Sequence, residues 1–166
     1  MRIAIDSCSI ILLAKATVLE LFAKKYNLFI TKTVYKEILQ GKDKKFIDAL
    51  LTEKLVSEKK INIIKIKNNI VKKLIKDFNL GYGEAETLAL LLEKKCDVVV
   101  TDNKQGRKTA MIYDLDLVGS IDVIISLYKL KIINKDKTDH ALRELRKFGW
   151  FQDYLIDDAF EEVKNA

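Results

Sequence analysis

The chain has no proline, one histidine, one tryptophan and two cysteines in 166 residues, and most of these scarcities remove a class of chemistry. A single histidine, His140, with Cys8 and Cys96 at no metal-ligand spacing, offers no basis for a zinc site. Both cysteines are expected as reduced thiols, and no histidine-dependent nucleophilic triad is available. No apolar run reaches the ~18 residues that a membrane span needs. The first residues carry one arginine, a very short apolar stretch and then Asp6, unlike a signal peptide. A cytoplasmic protein with no membrane partner is therefore expected. Gly81-Tyr82-Gly83 lacks phosphate-loop spacing and is not read as a nucleotide cradle. Repeats, low-complexity tracts and linkers are missing too, so one domain is expected over residues 1–166, with a helical tail over about 135–166. The absence of proline, like the abundance of Lys and Ile, reads as composition bias and points to no function.

What is present begins with charge. Thirty Lys and Arg against 24 Asp and Glu leave a net +6, which favours polyanionic partners without requiring one. The opening MRIAIDSCS reads as a short β-branched strand ending on Asp6, with Ser7 or Ser9 placed to cap a helix from about Ile10, Asp6 as the N-cap itself being the plainer alternative. Helical spacing continues to about Lys25 with a break near Thr17. Asn27 to Ile30 is a second strand, and Thr31 or Thr33 caps a helix closed by Gly41. On that helix Glu37 borders the face formed by Val34 and Ile38. A Lys-rich amphipathic helix is expected from Asp43 to Leu55, an extended segment from Ile61 to Ile66, and a helix from Asn68 to Phe78.

The next helix, EAETLALLLEKK, is apolar almost all round and belongs in the core. Glu84 shares a stripe with Leu88 and Leu91, which aims it away from solvent, whereas Glu86 points elsewhere. An acidic first turn also suits the helix dipole alone. Asp97 to Thr101 is a buried strand ending on Asp102-Asn103, repeating the arrangement at Asp6. A helix to Tyr113, a short strand at Leu117-Val118, a helix from Ser120 to Leu130 and two late helices complete the alternation. That pattern predicts an α/β fold with a central parallel sheet covered by helices on both faces.

Two strand-end aspartates and two inward-leaning glutamates meeting at one point would repel each other and resist burial, a conflict that a hard divalent cation resolves. Such an ion could support phosphodiester hydrolysis.

These residues carry a resemblance to the PIN-domain family, and within it to VapC-type toxin ribonucleases of the prokaryotic branch with a GEAE motif. The similar segments are IDSCSIILLAK, TKTVYKEI, GYGEAETLAL, VVVTDNKQGRKTA, VGSIDVI and RKFGWFQDYLIDDAFEEV. Each is short; their order and spacing carry the likeness. The resemblance implies a three-layer α/β/α fold and an Mg²⁺- or Mn²⁺-dependent endoribonuclease with RNA as substrate. It further raises an antitoxin protein and a second copy of the chain as partners. By motif it implies catalytic, metal-binding carboxylates at Asp6, Glu37, Glu84 and Asp102. Asn103 stands at a further metal position where many relatives carry Asp, and Cys8 replaces a usual Ser or Asn. Ser7 and Thr101 would support the carboxylates through their hydroxyls, and Arg107 and Lys104 would hold phosphate. His140 is expected on the surface, and Trp150 and Phe151 as anchors of the tail. A PIN-like binding or scaffold protein with a decayed site is the alternative. A receiver-like phosphoacceptor domain fits less well, because its order of acids and a late lysine is missing.

Overall fold

The computed structural model describes residues 1–40 and 46–166. Five strands form one sheet: β1 (Arg2–Ile5), β2 (Asn27–Thr31), β3 (Ile61–Ile64), β4 (Val98–Val100) and β5 (Leu117–Val118). All four pairings are parallel, in the order β3-β2-β1-β4-β5.

Strand alternation sorts the interior into two cores. Ile3 and Ile5 of β1, Leu28 and Ile30 of β2 and Val100 face one way; Ala4, Phe29 and Val99 face the other. The first core is covered by α1 (Ser7–Lys15), α2 (Leu19–Lys25), α3 (Lys32–Leu39) and α4 (Ile47–Ser57), joined by α8 (Ser120–Lys129), α9 (Lys135–Phe148) and α10 (Asp153–Asn165). The second is covered by α5 (Asn68–Phe78), α6 (Tyr82–Leu92) and α7 (Lys104–Ile112). Helices on both faces of an all-parallel sheet make the expected three-layer α/β/α fold. Among the described residues no helix is long and apolar enough to cross a membrane.

Local chemistry explains most boundaries. Thr17 sits at φ 60 between α1 and α2, the left-handed residue that ends the first helix. Thr31 closes β2 and caps α3 by accepting from the Val34 amide at 3.3 Å. Two expectations fall on other ground. The closing role given to Gly41 and the first turn of a helix from Asp43 lie outside the described residues, and the described part of that helix begins at Ile47. The cap at Asp6 also differs: neither Ser7 nor Ser9 caps α1, because Asp6 does so itself, accepting from the Ser9 amide at 2.8 Å.

The strand order matters most for function. The chain leaves β1 toward β2 on one side and leaves β4 toward β5 on the other, so a crevice opens between the carboxyl ends of β1 and β4. Asp6 follows β1 and Asp102 lies just beyond β4, which puts one aspartate on each lip of that crevice.

Candidate active site

Asp6 is only 3% exposed. Its Oδ1 caps α1, whereas its Oδ2 is buried without a hydrogen-bond partner. Burial pushes its carboxyl up to about 6, a rise that the nearby Thr101 hydroxyl and the Ser9 amide oppose and the charge of Asp102 reinforces. The Thr101 hydroxyl lies close enough to favour the charged form, yet it makes no normal hydrogen bond to Oδ2, so that oxygen remains open for a ligand.

Asp102 is held on three sides. Its Oδ2 accepts from Ser9 Oγ at 2.9 Å and from Ser120 Oγ, and its Oδ1 accepts from the Ser120 amide at 2.8 Å, at the N-terminus of α8. Neither serine was foreseen in this role. Ser120 lies in the quoted VGSIDVI segment, but its partner is 18 residues away and no local pattern marks the pair. Gly119 makes the approach feasible, since a Cβ there would come within 2.9 Å of Asp102 Oδ1 and 3.1 Å of Arg107 Nη1.

The two glutamates arrive from helices. Glu37, half-buried on α3, accepts from Ser7 Oγ at 2.7 Å, which gives Ser7 the supporting contact expected of it. It rests against Gly83 so closely that a Cβ there would lie 2.6 Å from Oε1. Glu84, the next residue, accepts from the Gly81 amide at 3.0 Å in the first turn of α6. It lines a narrow gap with Asp6, Thr101 and Gly106. Glu86 does not line that gap; it is the more buried of the two, at 9% exposure, with Oε2 unpartnered, because α6 is packed on nearly all sides.

Around this centre, Asn103 caps α7, its Oδ1 accepting from the Gly106 amide at 2.8 Å. Arg107 folds back to the strand end and donates from Nη1 to the Thr101 carbonyl at 3.1 Å, while Lys104 stays exposed. Cys8 keeps an exposed edge, but packing around its sulfur, together with the charges of Asp6, Asp102 and Glu84, pushes the thiol up to about 12. His140 is exposed on α9, as expected.

The oxygen-only donors and the orphaned Asp6 Oδ2 suit a hard divalent cation. As the side chains stand, no three acidic, histidine or cysteine groups among the described residues close into a metal cluster. Each carboxylate instead holds a hydroxyl or amide of the chain.

The fold is a parallel α/β sheet whose strand-order crevice is flanked by Asp6 on one side and Asp102 on the other. The family model for the PIN domain matches residues 2–165, and the chain belongs to that family. PIN domains are generally nucleases and typically use divalent metals. No curated protein and no solved structure matches the chain significantly.

Proposed function

We propose that the chain is an Mg²⁺- or Mn²⁺-dependent endoribonuclease whose centre is Asp6, Glu37, Glu84 and Asp102. The observation that carries this reading is Asp6 Oδ2, a buried carboxylate oxygen without a partner, lying beside Asp102 and Glu84. Leaving such an oxygen unsatisfied is costly unless something else comes to meet it. A bound divalent cation would neutralise the acids, activate a water and stabilise the leaving oxygen. The chain's own residues do the positioning. Ser7 holds Glu37, Ser9 and Ser120 fix Asp102, and the α1 cap sets the direction of Asp6. Asn103 spends its side-chain oxygen on the α7 cap, so it would add to the metal set only as a neutral neighbour. Arg107, beside Asp102, and exposed Lys104 would supply cations for phosphate in this reading.

The resemblance to VapC-type proteins supports a toxin role with an antitoxin partner. Incubating the purified protein with single-stranded and structured RNAs, with and without Mn²⁺, tests the activity. Mn²⁺-dependent cleavage lost in Asp6→Asn is the expected result, and metal-independent cleavage that survives Asp6→Asn would overturn the assignment.

One observation favours a second reading. Every acid is already engaged by a group of its own chain, as in a scaffold whose site has lost its ion. The melting temperature separates the two: Mn²⁺ raises it if the site is intact and leaves it unmoved if the site has decayed.

A further inference from the structure

Beside the carboxylates runs a groove of about 620 Å³ between α1, the start of α7 and the turn joining α9 to α10. Its lining includes Ser7, Cys8 and Asp102 as well as Phe148 and Trp150. Trp150 is the chain's only tryptophan and is fully exposed, at 102%. The expectation that it anchors the tail is therefore corrected. Phe151, half-buried against the first core, is the anchor. Its ring lies over Gly149 so tightly that a Cβ there would come within 2.3 Å of it, so Gly149 gives room for Phe151 to turn inward while Trp150 turns outward.

An indole left entirely in water contributes nothing to folding, and its large flat face is free for another planar group. The charges around it say which kind. Lys15 Nζ and Lys147 Nζ lie 4.6 and 4.8 Å from the centre of the Phe148 ring, and Lys104 lines the same groove. None of these three ammonium groups is paired with a carboxylate among the described residues. An exposed aromatic face with cations along one path is the pattern that holds single-stranded nucleic acid, with bases on the ring and phosphates on the lysines.

We propose that Trp150 is a stacking platform for an unpaired base of single-stranded RNA, and that Lys15, Lys104 and Lys147 guide the neighbouring phosphates toward the carboxylates. The proposal deepens the ribonuclease reading and rests on it for the direction of the strand. It makes unpaired RNA the preferred substrate, since a base inside a duplex cannot reach the indole.

Trp150 reports on its own contact, because the intrinsic tryptophan fluorescence of the protein comes from this one residue. The full chain in EDTA, where a metal-dependent cleavage cannot intervene, is titrated with a short oligoadenylate, an abasic strand of equal length, and the oligoadenylate annealed into a duplex. Binding is followed in parallel by anisotropy of end-labelled strands. The expected result is quenching by oligoadenylate alone, with affinity roughly tenfold or more above that for the abasic strand. Trp150→Ala, at a position with no packing to lose, should erase that preference and leave abasic binding unchanged. Equal quenching by the abasic strand, an unchanged preference in Trp150→Ala, or no binding of any strand overturns the proposal. So does a blue-shifted emission in the free protein together with a dimer that Trp150→Ala dissociates, which would mean that a second copy covers the indole. Because no step requires catalysis, quenching without Mn²⁺-dependent cleavage would sink the nuclease reading alone, and cleavage without quenching would sink this one alone.

Discussion

The ends of β1 and β4 carry the same short pattern, a β-branched strand, an aspartate and a helix, yet the two aspartates are treated in opposite ways. Asp6 must cap its own helix with Oδ1 and is left with a buried, unpartnered Oδ2. Asp102 is relieved of capping by Asn103, one residue on, and spends both oxygens on Ser9 and Ser120. One extra residue between acid and helix thus decides whether a strand-end carboxylate is satisfied or left wanting a ligand. The unsatisfied one is where affinity for a cation can be concentrated, and the satisfied one is where geometry is fixed.

The largest effect that could break this comparison is on catalysis. Asp6→Asn and Asp102→Asn should each lower Mn²⁺-dependent RNA cleavage by at least ~100-fold, on the order of 3 kcal/mol of barrier. Retained activity in either, measured on the same RNA, would remove that residue from the centre.

In the metal-free protein the same two substitutions should differ in sign. Asp6 has its carboxyl raised from 3.8 to about 6 by burial. Its contribution to stability is therefore fully present below about pH 4 and is lost as pH rises through about 6. Asp6→Asn keeps a capping oxygen and removes the buried charge, so it should be more stable than the parent above pH 6, by at most about 3 kcal/mol, with the gap closing toward pH 4. Asp102→Asn instead weakens charge-assisted hydrogen bonds from two serines and should cost roughly 1.5–3 kcal/mol at neutral pH. Urea melts of both variants across pH 4 to 8 check the crossing; parallel curves would mean that the two aspartates are equivalent after all.

Asn103→Ala should cost ~1 kcal/mol through loss of the α7 cap and leave the Mn²⁺ stabilisation intact. A lost Mn²⁺ response would instead make Asn103 a ligand. The smallest effect belongs to Glu84→Gln. Glutamine can still accept from the Gly81 amide, so the metal-free melting temperature should stay level or rise slightly, while the Mn²⁺ increment disappears. A sharp drop without metal would make Glu84 a helix-terminus residue only.

Much of this architecture is legible in the sequence because its signals are local. The Val98–Val100 run, the Thr17 break and the apolar circumference of α6 each report a backbone state within a few residues. The candidate acids stand out in the sequence by place: Asp6 and Asp102 at strand ends, Glu84 in a first helical turn and Glu37 beside the apolar face of its helix. Their partners do not: Ser9 meets Asp102 across 93 positions, and only the folded sheet brings them together. The burial of Glu86 follows from the apolar circumference of α6, which leaves little of that helix exposed. Trp150 and Phe151 are adjacent aromatics, and nothing in their spacing tells which one turns inward; the space over Gly149 settles it for Phe151.

The strand order also sets when the four acids can come together. Asp6 and Glu37 belong to the β1-β2-β3 half, which consists of early residues, whereas Asp102 and Ser120 arrive only once β4 has docked beside β1. That seam joins segments far apart in the chain, fastened at one end by Arg2 and Asp97, 95 positions apart. A ribosome-bound fragment ending before β4 holds Asp6, Glu37 and Glu84 and lacks only Asp102 of the four acids. Under the proposed reading, loosening β4 and β5 from β1 would part Asp102 from Asp6 and so abolish cleavage. Amide exchange at Val99 and Val100 and loss of cleavage should then rise together under mild denaturant, ahead of global unfolding. The β1-β4 seam would then be the contact on which the proposed cleavage depends.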